Sequence, residues 1–251
     1  MVVYPNAKIN IGLNVVEKRE DGFHSIESIL YPVEELFDVL EIMKHSQLEY
    51  TSTGVVIPGD IDSNLCVKAF QLIKNDFDIP NVKIHLQKNI PIGAGLGGGS
   101  SDASFMLKAL NELFELALTT AQLISYAKKL GSDCAFFIEN KPVYAFNKGD
   151  DFEMIDIDLS SYEIRIECPE IHIGTKEAYA GVIPVFSEVN LKKLIQQPID
   201  EWKSSIKNDF EKSIFPKHSE IEELKQNMYL NGAIFASMTG SGSAVFGIFN
   251  Q

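Results

Sequence analysis

From Pro91 to Ser101 the chain reads Pro-Ile-Gly-Ala-Gly-Leu-Gly-Gly-Gly-Ser-Ser, with five glycines among the seven residues 93–99. That run constrains the fold more than any other. Missing Cβ atoms argue against regular structure over 93–99 and let backbone N–H groups converge on a ligand at close range. Helical spacing follows at once, through Ala103, Met106, Leu107, Leu110, Leu113 and Phe114. Ser100, Ser101 and Asp102 are the expected caps of that helix. A bare turn running into a helix N-terminus directs N–H groups and the positive dipole end at one place, an arrangement that binds phosphate.

Two named phosphate patterns can be tested on the residues. A P-loop needs Lys directly before Ser or Thr, and Gly99 stands there instead. Gly93, Gly95 and Gly98 do satisfy the dinucleotide fingerprint G-x-G-x-x-G. That turn normally joins strand to helix directly, with an acidic residue about 20 positions further on. Lys88-Asn89-Ile90-Pro91 intervenes in this chain, and Glu112 and Glu115 fall short of the spacing. A dinucleotide oxidoreductase is the weaker reading. A ligand-free surface turn is weaker still, because glycine-rich turns rarely also carry paired serines at the head of a long apolar helix.

Elsewhere the periodicity outlines an α+β protein. Ala7, Ile9, Ile11, Leu13 and Val15 alternate, which predicts a half-buried strand with Lys8, Asn10, Gly12 and Asn14 on its polar face. The turn signal Asp21-Gly22 followed by an extended pattern over 23–33 predicts a hairpin. Asp62-Ser63 reads as the cap of a helix carrying Leu65, Ala69 and Ile73, and Val82, Ile84 and Leu86 as a strand leading to Pro91. Thr119 and Gln122 form a capping box for a helix stopping at Gly131. Past the polar stretch 147–151, strands are expected over 164–173 and helices near 187–197, 200–212 and 219–230. The last has Ser219 and Glu222 as a capping box and Gly232 as its stop. Two strands are expected over 233–249, around Thr239-Gly240-Ser241-Gly242. Domains are placed at 1–150 and 151–251.

Composition excludes several classes of function. With 45% hydrophobic and 23% charged residues the chain can bury a core and is not a disordered segment. A formal net charge of −13 opposes any broad nucleic-acid or anionic-membrane surface, so an anionic ligand must be held by local donors. Cys66, Cys134 and Cys168 are far apart and odd in number, which supports neither a disulfide frame nor a zinc site. The first residues lack the regions of a signal peptide and no apolar run reaches membrane-spanning length, so reduced thiols and a cytoplasmic location are expected.

Three motifs stand in order: Ala7-Lys8-Ile9-Asn10, the turn 91–101, and Met238-Thr239-Gly240-Ser241-Gly242-Ser243-Ala244. Together they resemble the GHMP kinase superfamily of small-molecule kinases, named for galactokinase, homoserine, mevalonate and phosphomevalonate kinases. Arg19-Glu20-Asp21-Gly22-Phe23-His24, the triple glycine before Ser100, and Gly131-Ser132-Asp133-Cys134-Ala135-Phe136-Phe137 resemble the branch whose alcohol substrate carries a cytidine diphosphate group. The resemblance spans nearly the whole chain. It implies a two-lobe α+β kinase with its active site in the inter-lobe cleft, phosphorylating a 2-hydroxyl with ATP and Mg²⁺, and binding neither nucleic acid nor membrane.

Residue by residue, the resemblance implies Lys8 and Asp133 as the catalytic pair. It places Pro91, Ile92, Gly93, Ala94, Gly95, Leu96, Gly97, Gly98, Gly99, Ser100 and Ser101 around the ATP phosphates, with Asn64 and Lys88 lining the adenine pocket. Phe23 and His24 would hold cytosine by stacking and hydrogen bonding, with Tyr179 as a second stacking aromatic and Asn10 and Thr175 as polar substrate contacts. Most members carry Tyr where this chain has Phe23. Members also continue past the third motif, so a smaller C-terminal lobe is expected for a sequence ending at Gln251.

By pattern alone each residue has a plainer explanation. A lysine on a strand's polar face is usually solvated, Asp133 at a helix junction can simply cap a turn, and serines at a helix start are caps. His24 would be an ordinary half-buried histidine, and residues 240–243 a hairpin turn. The motifs assign more: Lys8 neutralises charge on the transferred phosphoryl group, and Asp133 accepts or orients the hydroxyl proton. A kinase for a small acyclic alcohol such as homoserine or mevalonate has no nucleobase for Phe23-His24 to hold. A catalytically inactive sensor is opposed by the intact Lys8 and Asp133. No dedicated carboxylate cluster for a metal is visible, and metal ligands are left unassigned.

Overall fold

The protein is described by a computed structural model at residues 1–185 and 190–251. A short strand β1 (Val2–Val3) precedes the long strand β2 (Asn6–Lys18). The apolar residues of β2 are buried as its alternation predicts, but Lys8 (3% exposed) and Asn10 (4%) on the other face are buried too. The strand expected to be half-buried is covered on both faces, and a buried lysine needs partners for its charge. β3 (His24–Phe37) completes the expected hairpin beyond the Asp21-Gly22 turn, where Arg19 N–H donates to the Phe23 carbonyl at 2.8 Å.

β4 (Val39–Lys44) and β5 (Glu49–Gly54) follow. Asp62 and Ser63 lie in a 3₁₀ turn (Ile61–Ser63), not at the cap expected of them. The cap of α1 (Leu65–Asp76) is Asn64, whose side-chain oxygen accepts from Cys66 N–H. β6 (Val82–Lys88) pairs antiparallel with β4 and parallel with β5, so β5–α1–β6 is a crossover unit. α2 (Gly98–Leu113) starts before the serines expected to cap it. Gly97 takes a left-handed conformation (φ +72°) at the N-cap, and the chain enters the helix there with no side-chain cap. Ser100, Ser101 and Asp102 therefore lie inside its first turns. α3 (Thr120–Leu130) has both bonds of the Thr119–Gln122 capping box, and α4 (Cys134–Glu139) forms from the apolar run after Asp133.

The remainder comprises β7 (Val143–Phe146), β8 (Asp151–Met154), β9 (Tyr162–Glu167), α5 (Thr175–Ala180), α6 (Leu191–Leu194), α7 (Ile199–Ser205), α8 (Glu211–Ile214), α9 (Ser219–Leu230), β10 (Phe235–Met238) and β11 (Val245–Asn250). Of the helix expected over 187–197, residues 187–189 lie outside the described residues and α6 is the helical part. The helix expected over 200–212 is broken. Lys207 and Asp209 exchange backbone hydrogen bonds with Leu13 of β2, and this tertiary pairing overrides local helical preference. Ser219 begins α9 without capping it, since the N-cap is His218 with no side-chain bond, so the expected capping box does not form.

Two compact units result. One contains Met1–Ala7, Pro32–Ile92 and Gly97–Lys141; the other contains Lys8–Tyr31, Gly93–Leu96 and Pro142–Gln251. The units do not divide at the single boundary expected near residue 150. They interleave, because β2 and β3 each run from one into the other. The first unit holds the sheet β1-β4-β6-β5 with α1 packed on α2. The second holds the sheets β2-β3-β7-β8 and β10-β11-β9 and a core that includes Leu13, Val15, Phe210, Ile214, Met238 and Val245. Burial raises all three free thiols, those of Cys134 and Cys168 to about 11 and that of Cys66 well above its ordinary value, so all three stay protonated at neutral pH. Among the described residues no helix is long and apolar enough to cross a membrane.

Candidate functional site

In the second unit the first motif, part of the glycine turn and the third motif interlock. Lys8 Nζ donates to the Gly95 carbonyl at 2.9 Å and Lys8 N–H to the Leu96 carbonyl at 3.0 Å. Nζ also donates to Asn10 Oδ1. The Thr239 hydroxyl accepts from Asn10 N–H at 3.0 Å and donates to the Gly95 carbonyl at 3.1 Å. Ala244 N–H donates to the Ala94 carbonyl, and a Cβ on Gly242 would lie 2.1 Å from Ala94 C. Gly95 is required twice over: its φ is +85°, and a Cβ there would sit 2.0 Å from the Thr239 carbonyl oxygen.

Asn10, expected to touch substrate, accepts from Lys8 Nζ through its side-chain oxygen. Its amide nitrogen donates to Ser28 Oγ at 2.8 Å, and Ser28 donates to the Gly12 carbonyl at 2.6 Å. The third motif is held from behind by Asn208, whose side-chain nitrogen donates to the carbonyls of Met238 (3.0 Å) and Gly240 (2.9 Å).

An aromatic group lies in the same unit. His24 stacks on Tyr179 with centroids 4.7 Å apart, and Tyr179 meets Phe210 edge-on at 4.8 Å. Phe23 is 60% exposed, with Lys148 Nζ 4.5 Å from its ring centroid. Thr175 opens α5, four residues before Tyr179 on the same short helix.

The first unit carries the other part of the turn. Residues 97–101 lead α2, and the N–H groups of its first turn have no side-chain cap. Pro91 and Ile92 precede the glycines, with Ile92 exposed. Ser104 Oγ donates to the Cys134 carbonyl at 2.6 Å, and Ser100 lies against the Cys134 thiol. The start of α2 is thereby packed on the start of α4, where Asp133 occupies the N-cap position without making a cap hydrogen bond.

Asn64 donates to the Tyr50 hydroxyl at 2.9 Å besides capping α1. Lys88, expected to line the adenine pocket, is 3% exposed, and its ammonium binds Asp38 and, at 2.8 Å, Asp102. Burial by itself would lower the Lys88 pKa, but the charges of Asp102 and Asp38 hold it above its ordinary value. Burial raises Asp102 to about 7, against the pull of Lys88 and with the push of Asp38. The lysine keeps its charge, and Asp102 stands well above the ordinary carboxylate range.

Asp38, Ser28 and Asn208 escape sequence reading. None lies in a motif, and each has a hydrogen-bond partner at least 16 positions away in sequence. Asp102 is legible only as a helix cap.

Residues 64–141 match the family described as GHMP kinases N terminal domain, and residues 190–251 that described as GHMP kinases C terminal. A 4-diphosphocytidyl-2-C-methyl-D-erythritol kinase of Azobacteroides pseudotrichonymphae genomovar. CFP2 is 48% identical, over 100% of this chain and 94% of that protein. One from Cytophaga hutchinsonii is 49% identical, over 100% and 93%. A crystal structure of 4-(cytidine 5'-diphospho)-2C-methyl-D-erythritol kinase superposes with a TM-score of 0.86 at 29% identity, covering 99% of this chain and 90% of that one.

Proposed function

The chain belongs to the GHMP kinases, within the family of 4-diphosphocytidyl-2-C-methyl-D-erythritol kinases, and from that premise we propose how its own residues carry the reaction. It is an ATP-dependent kinase that phosphorylates this cytidine-diphosphate alcohol. Phosphoryl transfer needs little covalent help from protein; positioning and charge stabilisation supply most of the acceleration. Residues 91–101 hold the triphosphate through main-chain N–H groups and the start of α2. Lys8 is the cation for the transferred group. The observation that carries this assignment is its ammonium, buried and hydrogen-bonded to the Gly95 carbonyl of the turn itself.

Asp133 takes the proton of the 2-hydroxyl as its oxygen bonds to the γ-phosphorus. The bond from that phosphorus to the bridging oxygen breaks, and ADP leaves. Phe23 offers the exposed ring face for cytosine, beside the His24–Tyr179 stack. Among the described residues no group of three His, Cys, Asp or Glu side chains is placed to hold a metal ion. When bound with ATP, Mg²⁺ would supply positive charge to neutralise the triphosphate. The dinucleotide alternative loses its footing in the topology: α2 is followed by α3, not by a strand extending a doubly wound sheet.

The test is ADP release by the full chain with ATP, Mg²⁺ and each of three alcohols: the cytidine-diphosphate substrate, homoserine and mevalonate. Release driven by the first alone is expected. Release driven by another alcohol, or by none, overturns the assignment.

A further inference from the structure

In the first unit lie three buried ionisable side chains, Asp38, Lys88 and Asp102, that no motif assigns to a common task. Asp38, fully buried, sits between β3 and β4. Its Oδ1 accepts from the N–H groups of Asn89 (2.6 Å) and Ile90 (2.8 Å), the residues that begin the turn, and its Oδ2 binds Lys88. Asn89 also donates through its side chain to the Phe37 carbonyl at 2.8 Å. Lys88 then reaches Asp102 in the first turns of α2, just past the end of the glycines. A Cβ on Gly98 would lie 2.8 Å from Lys88 Nζ, so the ammonium is packed against the first residue of that helix.

We infer that Asp38, Lys88 and Asp102 are positioning residues, a clamp that ties the start of the phosphate-binding turn to the helix at its end and presets its amides for nucleotide. Electrostatics favours this over a purely stabilising role. Buried ion pairs seldom add stability over apolar replacements of similar volume. A lone ammonium beside a helix N-terminus would be repelled by the positive dipole end, whereas the carboxylates around it offset its charge and anchor that end. Holding both ends of a glycine-rich segment removes conformational freedom that a ligand would otherwise have to freeze on binding.

The inference rests on reading residues 91–101 as the ATP-phosphate turn, and the experiment separates the two ideas. In Lys88→Met/Asp102→Asn one charge of each sign is lost and Asp38 keeps its backbone donors; Asp102→Asn alone is the milder second variant. Amide hydrogen exchange of the nucleotide-free full chain should speed up across residues 90–101 in both variants, with α3 unchanged. The ATP KM should rise at least about tenfold in the double variant, with kcat at saturating ATP changed less than about threefold. A lower Tm with unchanged exchange in the turn overturns the clamp; so does an ATP KM within about twofold of wild type, in whichever variant folds. If wild type fails to bind ATP at all, the functional reading falls, and exchange alone decides the clamp.

Discussion

The rings of His24 and Tyr179 lie on one another, 4.7 Å between centroids and 25° between planes. Each ring already fills one face of the other, and Phe210 meets Tyr179 in a T-shaped contact. A nucleobase cannot slide between two rings in that contact, because a third ring needs its own thickness on each side. The stack is a wall. The neighbouring exposed ring is that of Phe23, at 60% exposure.

Phe23→Ala should therefore raise the KM for the cytidine substrate by about tenfold, the scale of one lost base–aromatic stack. The ATP KM should stay within about twofold. His24→Ala should show the same asymmetry. Steady-state kinetics with each substrate varied in turn checks both, and equal losses for ATP and alcohol would remove the cytosine assignment.

Lys8→Met and Asp133→Asn should each lower kcat by at least about a hundredfold, the usual range for a charge stabiliser or proton acceptor. Nucleotide binding by Asp133→Asn should persist. Single-turnover rates and calorimetric titration with ATP separate chemistry from binding. An Asp133→Asn enzyme retaining wild-type kcat would show that this carboxylate neither accepts nor aims the proton.

Gly95→Ala should destabilise the fold by more than about 1 kcal/mol, because alanine must adopt φ +85° against a carbonyl 2.0 Å away. Gly22→Ala is the matched control: its φ is +83°, yet nothing lies within 4 Å of the added methyl. Denaturant melts should rank Gly95→Ala well below Gly22→Ala, and only the former should lose ATP binding.

The buried Asp102 gives stability a signature in pH. Its folded value near 7 lies above the ordinary carboxylate value, so between about pH 4 and pH 7 the folded state holds a proton that the unfolded state has released. A raised folded pKa contributes stability that is full below the unfolded pKa and is lost as pH rises through the folded one. The unfolding free energy of wild type minus that of Asp102→Asn should thus shrink as pH climbs from 4 to 7. A difference that stays flat would place the folded pKa of Asp102 in the ordinary range.

What could be read from residue order was local. Thr119 and Gln122 are three positions apart and the capping box forms as written, and alternation in residues 7–15 marks a strand without reference to anything distant. The glycine turn and third motif are legible for the same reason. The burial of both faces of β2 is not, because it depends on partners as remote as Thr239, 229 positions away. Nor is the break near Asn208, where pairing to Leu13 replaces helix. Residues 49–54 carry Thr-Ser-Thr and no apolar alternation, and form β5 because an adjacent strand edge accepts them. The partner of Lys88, Asp38, is 50 positions upstream and invisible to spacing.

The interleaving of the two units bears on how the molecule is made. A ribosome delivers β2 among the first residues, yet Asn208, Thr239 and Lys207, which hold it, are among the last. The nascent chain must carry a long, largely apolar segment in waiting while nearly everything else is synthesised, and late closure of such distant contacts slows folding and leaves that segment prone to association. A gene cut near codon 150 would strand Lys8–Tyr31 on the wrong fragment, so neither half should yield a well-behaved protein alone.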